Sequence, residues 1–481
     1  MRFTITPSAM KELEQSYMQQ YAVPGALLME HAAQAVCAAL SRHIPGGRAL
    51  FLCGPGNNGG DGYAAARLWQ NQGGHAMVME LTSAAAGDAG MNRTLALQAG
   101  IPILPASLPL PPCDMLVDAL FGTGLSRPPE GMAARIIRAA NASSTPVLAV
   151  DIPSGLHGET GRVLGEAIHA KETVTFHRIK QGLLLWQGAA CAGEITLAPI
   201  LIPAAYGTAP GLHCMDRQDA RWLIAPRPAD CHKGSFGRVV IFAGSEGMAG
   251  AAAFAASAAV KTGAGLTTVL CREAVLPIVQ TLCPGATCQL VSKADVPQLL
   301  STASAAVVGC GLGQSDDALP VLEHFRRAAC PVVWDADALN LLARTGDTLP
   351  ENAVITPHPG EAARLLGWSV QQVTEEPLEA LSALHRKLGC HVLLKGARSL
   401  MTNGSCTAVN AAGSPALAKG GSGDVLSGML GALLARRLPC TQLETMQLSA
   451  LLHGEAGIRA AKQWGENCVT PTELIQNIRL D

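Results

Sequence analysis

The stretch RALFLCGPGNNGGDGYAAARLW, residues 48–69, decides the fold. An apolar run enters a loop of glycines and asparagines, and Asp61 opens the alanine-rich helical stretch that follows. A buried strand passing through a glycine turn into a helix is the first half of a β-α-β unit. Glycine loops ahead of helices receive anions, because free N–H groups and the helix dipole favour negative charge. This loop lacks the Lys-Ser/Thr of a P-loop and does not read G-x-G-x-x-G. Its ligand has to be argued from the rest of the chain.

Working outward, apolar runs recur at 76–81, 114–120 and 146–151, with a weaker one at 173–176. Helical stretches such as YAAARLWQNQG and EGMAARIIRAAN separate them, and two helical segments, SAMKELEQSYMQQ and GALLMEHAAQAVCAALSRH, precede them. Continuous apolar strands alternating with helices predict a parallel sheet covered on both faces. The pattern breaks in a Pro-rich stretch around 200–230, which places a domain boundary near 210–225 and gives domains 1–215 and 216–481. The alternation restarts with RVVIFAG (238–244), a long alanine helix, LTTVL, AAVVGCG, PVVWDAD, AVITPHPG and HVLLKG. Two helices, GDVLSGMLGALLARR and about 443–463, close this second, larger α/β domain.

The chain has 481 residues, 48% hydrophobic and 15% charged, with a formal net charge of −2. That balance suits a well-buried globular protein and offers nothing to nucleic acid or an anionic membrane. The 15 cysteines are scattered without C-x-x-C or His-rich spacing, so neither zinc nor a disulfide framework is expected. The N-terminus has no apolar signal region, and AGAAAFAASAAV (249–260) is too short to span a bilayer. A cytoplasmic protein with free, buried thiols is expected.

Ligands of open α/β sheets bind outside the carboxyl ends of the strands. Three polar stretches stand at such ends: GPGNNGGD, FGTGLSRP (121–128) after Asp118, and DIPSG (151–155). Asn58, Asp118 and Ser154 offer amide, carboxylate and hydroxyl oxygens suited to a hard cation, and the GTG and NNGG backbones suit phosphate. The same residue types also fill ordinary turns; three loops on one sheet edge favour a ligand. In the second domain, KGGSGDVLSGM (419–429) leads through glycines into a helix with Asp424 in its first turn. Backbone N–H groups there can stabilise an anion, and the aspartate can take a proton from an attacking hydroxyl. Each residue keeps a plainer role: Asp424 as a helix cap, His358 as a helix-start residue, Lys395 as an exposed strand-end lysine.

NNGGD, VDALFGTG, DIPSG and TVTFHRIKQGLL, over about 8–205, resemble the Rossmann-like epimerase domain of NAD(P)H-hydrate repair enzymes. The resemblance implies interconversion of the R and S forms of nicotinamide cofactors hydrated at C6. It implies that Asn57, Asn58, Gly59, Gly60 and Asp61 hold the hydrate, with Gly122, Thr123, Gly124, Leu125, Ser126, Arg127 and Pro128. Asn58, Asp118 and Ser154 would bind K⁺, and Asp151 would contact the substrate as acid/base. GSEGMAGA, KTGAGLTTV, GCGLG, TPHPGE, LLKGARS and NAAGSPALAKGGSGDVLSG, over about 225–475, resemble the ribokinase-like dehydratase domain of the same enzymes. That implies phosphorylation of the C6 hydroxyl of the S hydrate by ADP or ATP with Mg²⁺, then elimination to NADH or NADPH. Ala251, Gly313, His358 and Asp424 would face the hydrate, with Asp424 as base. Lys395, Gly396, Ala397, Arg398, Ser399 and Gly423 would hold the nucleotide. Cys310 stands in GCGLG where the family pattern leads one to expect proline.

The resemblance favours ADP and a homo-oligomer. Two other readings stay open on the residues alone. Ribokinase-like folds also phosphorylate vitamins, and the GSGD loop does not choose between them. The first domain could also be a non-catalytic ligand-binding module.

Overall fold

The computed structural model describes residues 2–207 and 211–480. The chain forms two compact units, Phe3–Leu212 and the residues from His213 onward. Among the described residues no helix is long and apolar enough to cross a membrane.

The first unit is built on seven strands: β1 (Arg48–Cys53), β2 (His75–Glu80), β3 (Ile103–Pro105), β4 (Met115–Ala119), β5 (Val147–Val150), β6 (Glu172–Phe176) and β7 (Glu194–Ala198). Their spatial order is β3-β2-β1-β4-β5-β6-β7, and every pairing is parallel. The order reverses beside β1, which is where such sheets bind ligands. Successive side chains of a strand point to opposite faces, and β1 shows it: Ala49, Phe51 and Cys53 join one apolar cluster, Leu50 and Leu52 the other. The register sets Leu52 beside Asp118 and Asp118 beside Ala149. The loops after β1, β4 and β5 therefore leave the sheet on one edge. The N-terminal helix, Pro7–Tyr21, is capped by Thr6 and buries Met10, Leu13 and Tyr17 in the first of these clusters.

The second unit's strands are β8 (His213–Cys214), β9 (Arg238–Phe242), β10 (Leu266–Cys271), β11 (Thr287–Leu290), β12 (Ala305–Val308), β13 (Val332–Trp334), β14 (Val354–Ile355), β15 (His391–Leu394), β16 (Leu400–Thr402) and β17 (Thr407–Val409). They run in the order β8-β17-β16-β15-β14-β13-β12-β9-β10-β11. From β15 to β11 the pairings are parallel; β16 is antiparallel to both its neighbours. Helix Ser422–Ala435 is buried along nearly its whole length, and it shares its apolar surroundings with the alanine-rich helix Ala249–Lys261.

The strands expected from sequence are present, with ends shifted by a residue or two. Six were not anticipated: β3, β7, β8, β11, β16 and β17. They are at most five residues long, too short for a readable period. Among the described residues no cysteine forms a disulfide, and nine of the fifteen are buried.

The structure also answers what the opening glycines do. A methyl on Gly59 would overlap the carbonyl of Gly54, whereas one on Gly56 would meet open space. Gly59 is therefore required by the tight return of the helix onto its own loop. Gly59→Ala should destabilise the first unit by about 1–3 kcal/mol, as overpacking does, while Gly56→Ala leaves it nearly unchanged; chemical denaturation of the two variants checks this.

Candidate active sites

In the first unit, Asp118 is fully buried near the end of β4. It accepts hydrogen bonds from the backbone N–H of Ser154 at 2.7 Å and its hydroxyl at 2.6 Å. Burial pushes its carboxyl up to about 6 against those bonds. The Ser154 hydroxyl also accepts from the N–H of Phe121 at 2.8 Å. The next residue, Gly122, lies against Asn58, whose Cβ would be 3.2 Å from an added methyl. Asn58 is buried, and its amide nitrogen has no acceptor. Asp118, Ser154 and Asn58 thus gather around the Phe121–Gly122 backbone. The rest of that loop, Thr123 to Pro128, is open to solvent or half-buried, as are Asn57 and Asp61, whereas Gly59 and Gly60 are buried.

Asp151 follows β5 with φ at +66°, a conformation few non-glycine residues adopt. Its carboxylate accepts from the Lys180 ammonium at 2.6 Å, the Thr175 hydroxyl at 3.2 Å and the Phe176 N–H at 3.3 Å. The Lys180 side chain is 2% exposed, and its backbone neighbours clasp Ile5, with Ile5 N–H to Ile179 at 2.9 Å and Gln181 N–H to Ile5 at 3.0 Å. Helix Pro7–Tyr21 begins two residues on and carries Glu14 into the field of this pair. Burial raises the Glu14 carboxyl to about 7, with Lys180 opposing and Asp151 reinforcing. Asp61 is pushed well above the ordinary carboxyl range by burial, then by Asp151 and Glu14. Two carboxyls that favour the neutral form stand close to a carboxylate paired with an ammonium. Such a set supplies an acid and a base at one pH.

In the second unit the comparable pair is Asp335, just after β13, and Lys395, just after β15, at 2.7 Å. Asp335 also accepts from the Ser427 hydroxyl at 2.7 Å, and Glu361 lies 3.9 Å from the ammonium. Burial works to lower Lys395, but Asp335 and Glu361 outweigh it and hold it above the ordinary lysine value. Asp424 sits in the first turn of helix Ser422–Ala435, whose start at Gly421 has no side-chain cap. Its first N–H groups are therefore donors for an anion. Burial, then Asp335, raises Asp424 to about 6. The imidazole of His453, pushed down to about 4 by burial, is neutral and donates to the Ser422 carbonyl at 3.0 Å, fixing the helix start.

His358 does cap its own helix, accepting from the Gly360 N–H at 3.0 Å, and it also feels Lys395. Ala251 abuts Gly311, and the Gly313 N–H donates to Asp337 at 2.9 Å. Gly423 lies beside Lys395. In the stretch after Lys395, Gly396 and Ala397 are exposed, while Arg398 turns back to the Ala411 carbonyl and Ser399 accepts from the Asn410 N–H at 2.9 Å. Sequence reasoning missed Glu14, Lys180, Asp335, Glu361 and Ser427. Asp335 and Lys180 had a signal, since each stands at or shortly beyond a strand's carboxyl end; Glu14 lies mid-helix and had none.

Two family models match the chain: "NAD(P)H-hydrate dehydratase" over 239–480 and "YjeF-related protein N-terminus" over 25–182. The bifunctional NAD(P)H-hydrate repair enzyme Nnr of Coxiella burnetii is 37% identical, covering 94% of each chain. The enzyme of that name from Escherichia coli is 36% identical, over 89% of this chain and 84% of its own. Among solved structures, the ADP/ATP-dependent NAD(P)H-hydrate dehydratase of Bacillus subtilis, co-crystallised with ATP/Mg²⁺, is 27% identical at a TM-score of 0.51. The match covers 56% of this chain and 96% of that one.

Removing one partner of a buried ion pair strands the other charge. Asp335→Ala should destabilise the second unit at the low end of the about 3–5 kcal/mol such losses cost, because Lys395 keeps some access to water. Adding Lys395→Met should recover much of it, as read from denaturant midpoints.

Proposed function

The chain belongs to the bifunctional NAD(P)H-hydrate repair enzymes, and from that premise we propose which of its residues carry the two reactions. It is an enzyme of metabolite repair that interconverts the R and S hydrates of NADH and NADPH and dehydrates the S form with ADP or ATP. The single observation that carries the assignment is the place of Asp424, in the first turn of an uncapped helix beside Asp335, where burial raises its carboxyl to about 6.

At the dehydratase site Asp424 takes the proton of the C6 hydroxyl as that oxygen attacks the terminal phosphoryl group. The free N–H groups at the start of helix Ser422–Ala435 receive the charge that builds on the phosphoryl oxygens. Lys395, kept cationic by Asp335, adds a fixed positive charge beside Gly423. Elimination of phosphate then restores the reduced ring. Mg²⁺ supplies charge neutralisation at the phosphates. Asp335 already accepts from Lys395 and Ser427, which leaves no all-protein cage; that fits an ion that would be held mainly by the nucleotide phosphates with one carboxylate, Asp335 being the donor at hand. Gly396 and Ala397, exposed after Lys395, would meet the nucleotide, with Arg398 and Ser399 behind them.

At the epimerase site the hydroxyl lies on a carbon next to the ring nitrogen. Its loss, assisted by the nitrogen lone pair, and return of water to the opposite face exchange R and S. One group must protonate the departing oxygen and another must take a proton from the entering water. Asp151, ion-paired with Lys180, is the base; Glu14 and Asp61 supply the proton. Asn57 to Asp61 and Gly122 to Pro128 frame the ligand. K⁺ would be held by Asn58, Asp118 and Ser154. The unpartnered amide of Asn58 supports this: turned over, it presents its oxygen where nitrogen finds no acceptor. An ion there would hold the two loops together.

A site that aligns one hydroxyl for in-line transfer cannot align its mirror arrangement equally well. A dehydratase alone would strand the R hydrate, and the epimerase removes that dead end. The copy number in solution follows the family expectation of a homo-oligomer.

Incubating mixed hydrates with the chain, Mg²⁺ and ADP or ATP should restore reduced nicotinamide absorbance. Asp424→Asn should reduce the rate at least about 100-fold, the usual contribution of a general base. The rate of the unaltered chain should fall as pH drops through about 6, where Asp424 takes a proton. A stable phosphorylated product with no recovered absorbance would instead favour a vitamin-type kinase.

A further inference from the structure

Phosphoryl transfer needs the attacking and leaving oxygens roughly in line, so donor and acceptor reach Asp424 from opposite sides. The sheet order fixes the two sides. Lys395 follows β15, Asp335 follows β13, and beyond them come β12, β9 and β10. With the nucleotide on the Lys395 side, the hydrate lies over the loops that leave β12, β9 and β10. Its diphosphate is anionic, and those loops carry Glu246, Glu273, Asp316 and Asp317. In the segments 243–248, 272–275 and 309–317 the one basic side chain is Arg272, the first residue after β10. Arg272 reaches past the end of β9 to the loop after β12, where its Nη1 donates to the Leu312 carbonyl at 2.9 Å. Its Nη2 alone serves both oxygens of Asp317, each at 3.0 Å. That is not the two-nitrogen fork a guanidinium makes with a carboxylate or a phosphate. The Asp317 side chain is 60% exposed and that of Arg272 27%, and ion pairs so open to water are weak. Gly313 has φ +79°, and its bare face lies between Ser245 and the guanidinium: a methyl there would stand 3.4 Å from the Ser245 hydroxyl and 3.9 Å from Arg272 Nη1. Three residues earlier, the Cys310 sulfur and the carboxylates of Asp335 and Asp424 lie within 4.8 Å of one another. Three residues span at most about 10 Å, the scale that separates a nicotinamide ring from the diphosphate one ribose away.

We propose that Arg272 binds the diphosphate of the S hydrate at the dehydratase site, its guanidinium exchanging the exposed Asp317 carboxylate for phosphate oxygens while the bond to Leu312 keeps it in place. The inference rests on the reading of Asp424 as base with the nucleotide beside Lys395. A hydrate held in this way passes its ribose over the bare face of Gly313 and sets its ring beside Asp424. Arg272 touches no reacting atom. It supplies binding shared by the ground state and the transition state, so its loss belongs in KM rather than in kcat. Asp317 competes with the phosphate, both by occupying Nη2 and by its own charge, so its removal acts in the opposite sense.

The test is steady-state dehydration by the full chain of the S hydrates of NADH and NADPH. The hydrate of reduced nicotinamide riboside, which has no phosphate, is measured beside them as substrate or as competitor. Arg272→Ala should lower kcat/KM for the NADH hydrate about ten- to hundredfold, the range of hydrogen bonds to a charged group. The loss should lie in KM, with the KM for ADP or ATP unchanged. The NADPH hydrate should lose the same factor, because the diphosphate is common to both; a larger loss there would assign Arg272 to the 2′-phosphate and overturn the inference. The riboside hydrate should bind the variant and the unaltered chain equally. Asp317→Ala should lower KM for the NADH hydrate severalfold and leave the riboside hydrate alone, a check that stands even where Arg272→Ala folds poorly. A loss shared by the riboside hydrate, an unchanged KM in Arg272→Ala, or an unchanged or raised KM in Asp317→Ala would make Arg272 a brace for its loop and overturn the inference. No dehydration of any hydrate by the unaltered chain would overturn the reading of the site itself, and the inference with it.

Discussion

Both halves of the chain depend on one interaction: a lysine ammonium held in the protein against an aspartate at the carboxyl edge of a parallel sheet. Lys180 reaches Asp151 at 2.6 Å and Lys395 reaches Asp335 at 2.7 Å. Each pair is largely shielded from water, so its charges act on the carboxyls around it, whose proton affinity burial raises first. Glu14 and Asp61 are held toward the neutral form beside the first pair, and Asp424 is raised beside the second. A carboxyl poised near neutrality next to a fixed charge is what proton transfer at ordinary pH requires. The sheets matter chiefly because they deliver these residues: parallel strands end on one edge, and the groups arrive there from successive strand ends.

The two halves place the pair differently relative to the chemistry. In the first, Asp151 is itself the group proposed to act, and Lys180 holds it in place. In the second, Asp335 is a support that keeps Lys395 charged and raises Asp424, which acts. Ser427 fits this division, donating to the Asp335 carboxylate.

Much of this was legible in the sequence. Alternating apolar runs and alanine-rich helices were enough for two parallel α/β units, because central strands are continuous and long. The six missed strands are short, where pattern is weakest. The glycines of 54–62 read as a ligand loop, but Gly59 answers first to packing, a steric demand visible only once the helix is laid against its loop. Asp118 and Ser154 were legible as neighbours because both follow strands that prove adjacent in space. Glu14 was not: its importance comes from Ile5 pairing beside Lys180, a contact spanning most of the first unit's sequence. Lys395 was legible as a strand-end lysine but not as one already engaged by Asp335, since pairing across a sheet leaves no local mark.

The central claim is that two chemically separate sites act in series on one substrate pool. The most direct measurement resolves the R and S hydrates over time, with nucleotide and Mg²⁺ present, for the unaltered chain and for Asp151→Asn. The account predicts that Asp151→Asn clears the S hydrate at the normal rate and leaves the R hydrate behind, while the unaltered chain clears both. Clearance of both forms by Asp151→Asn at the unaltered rate would contradict it.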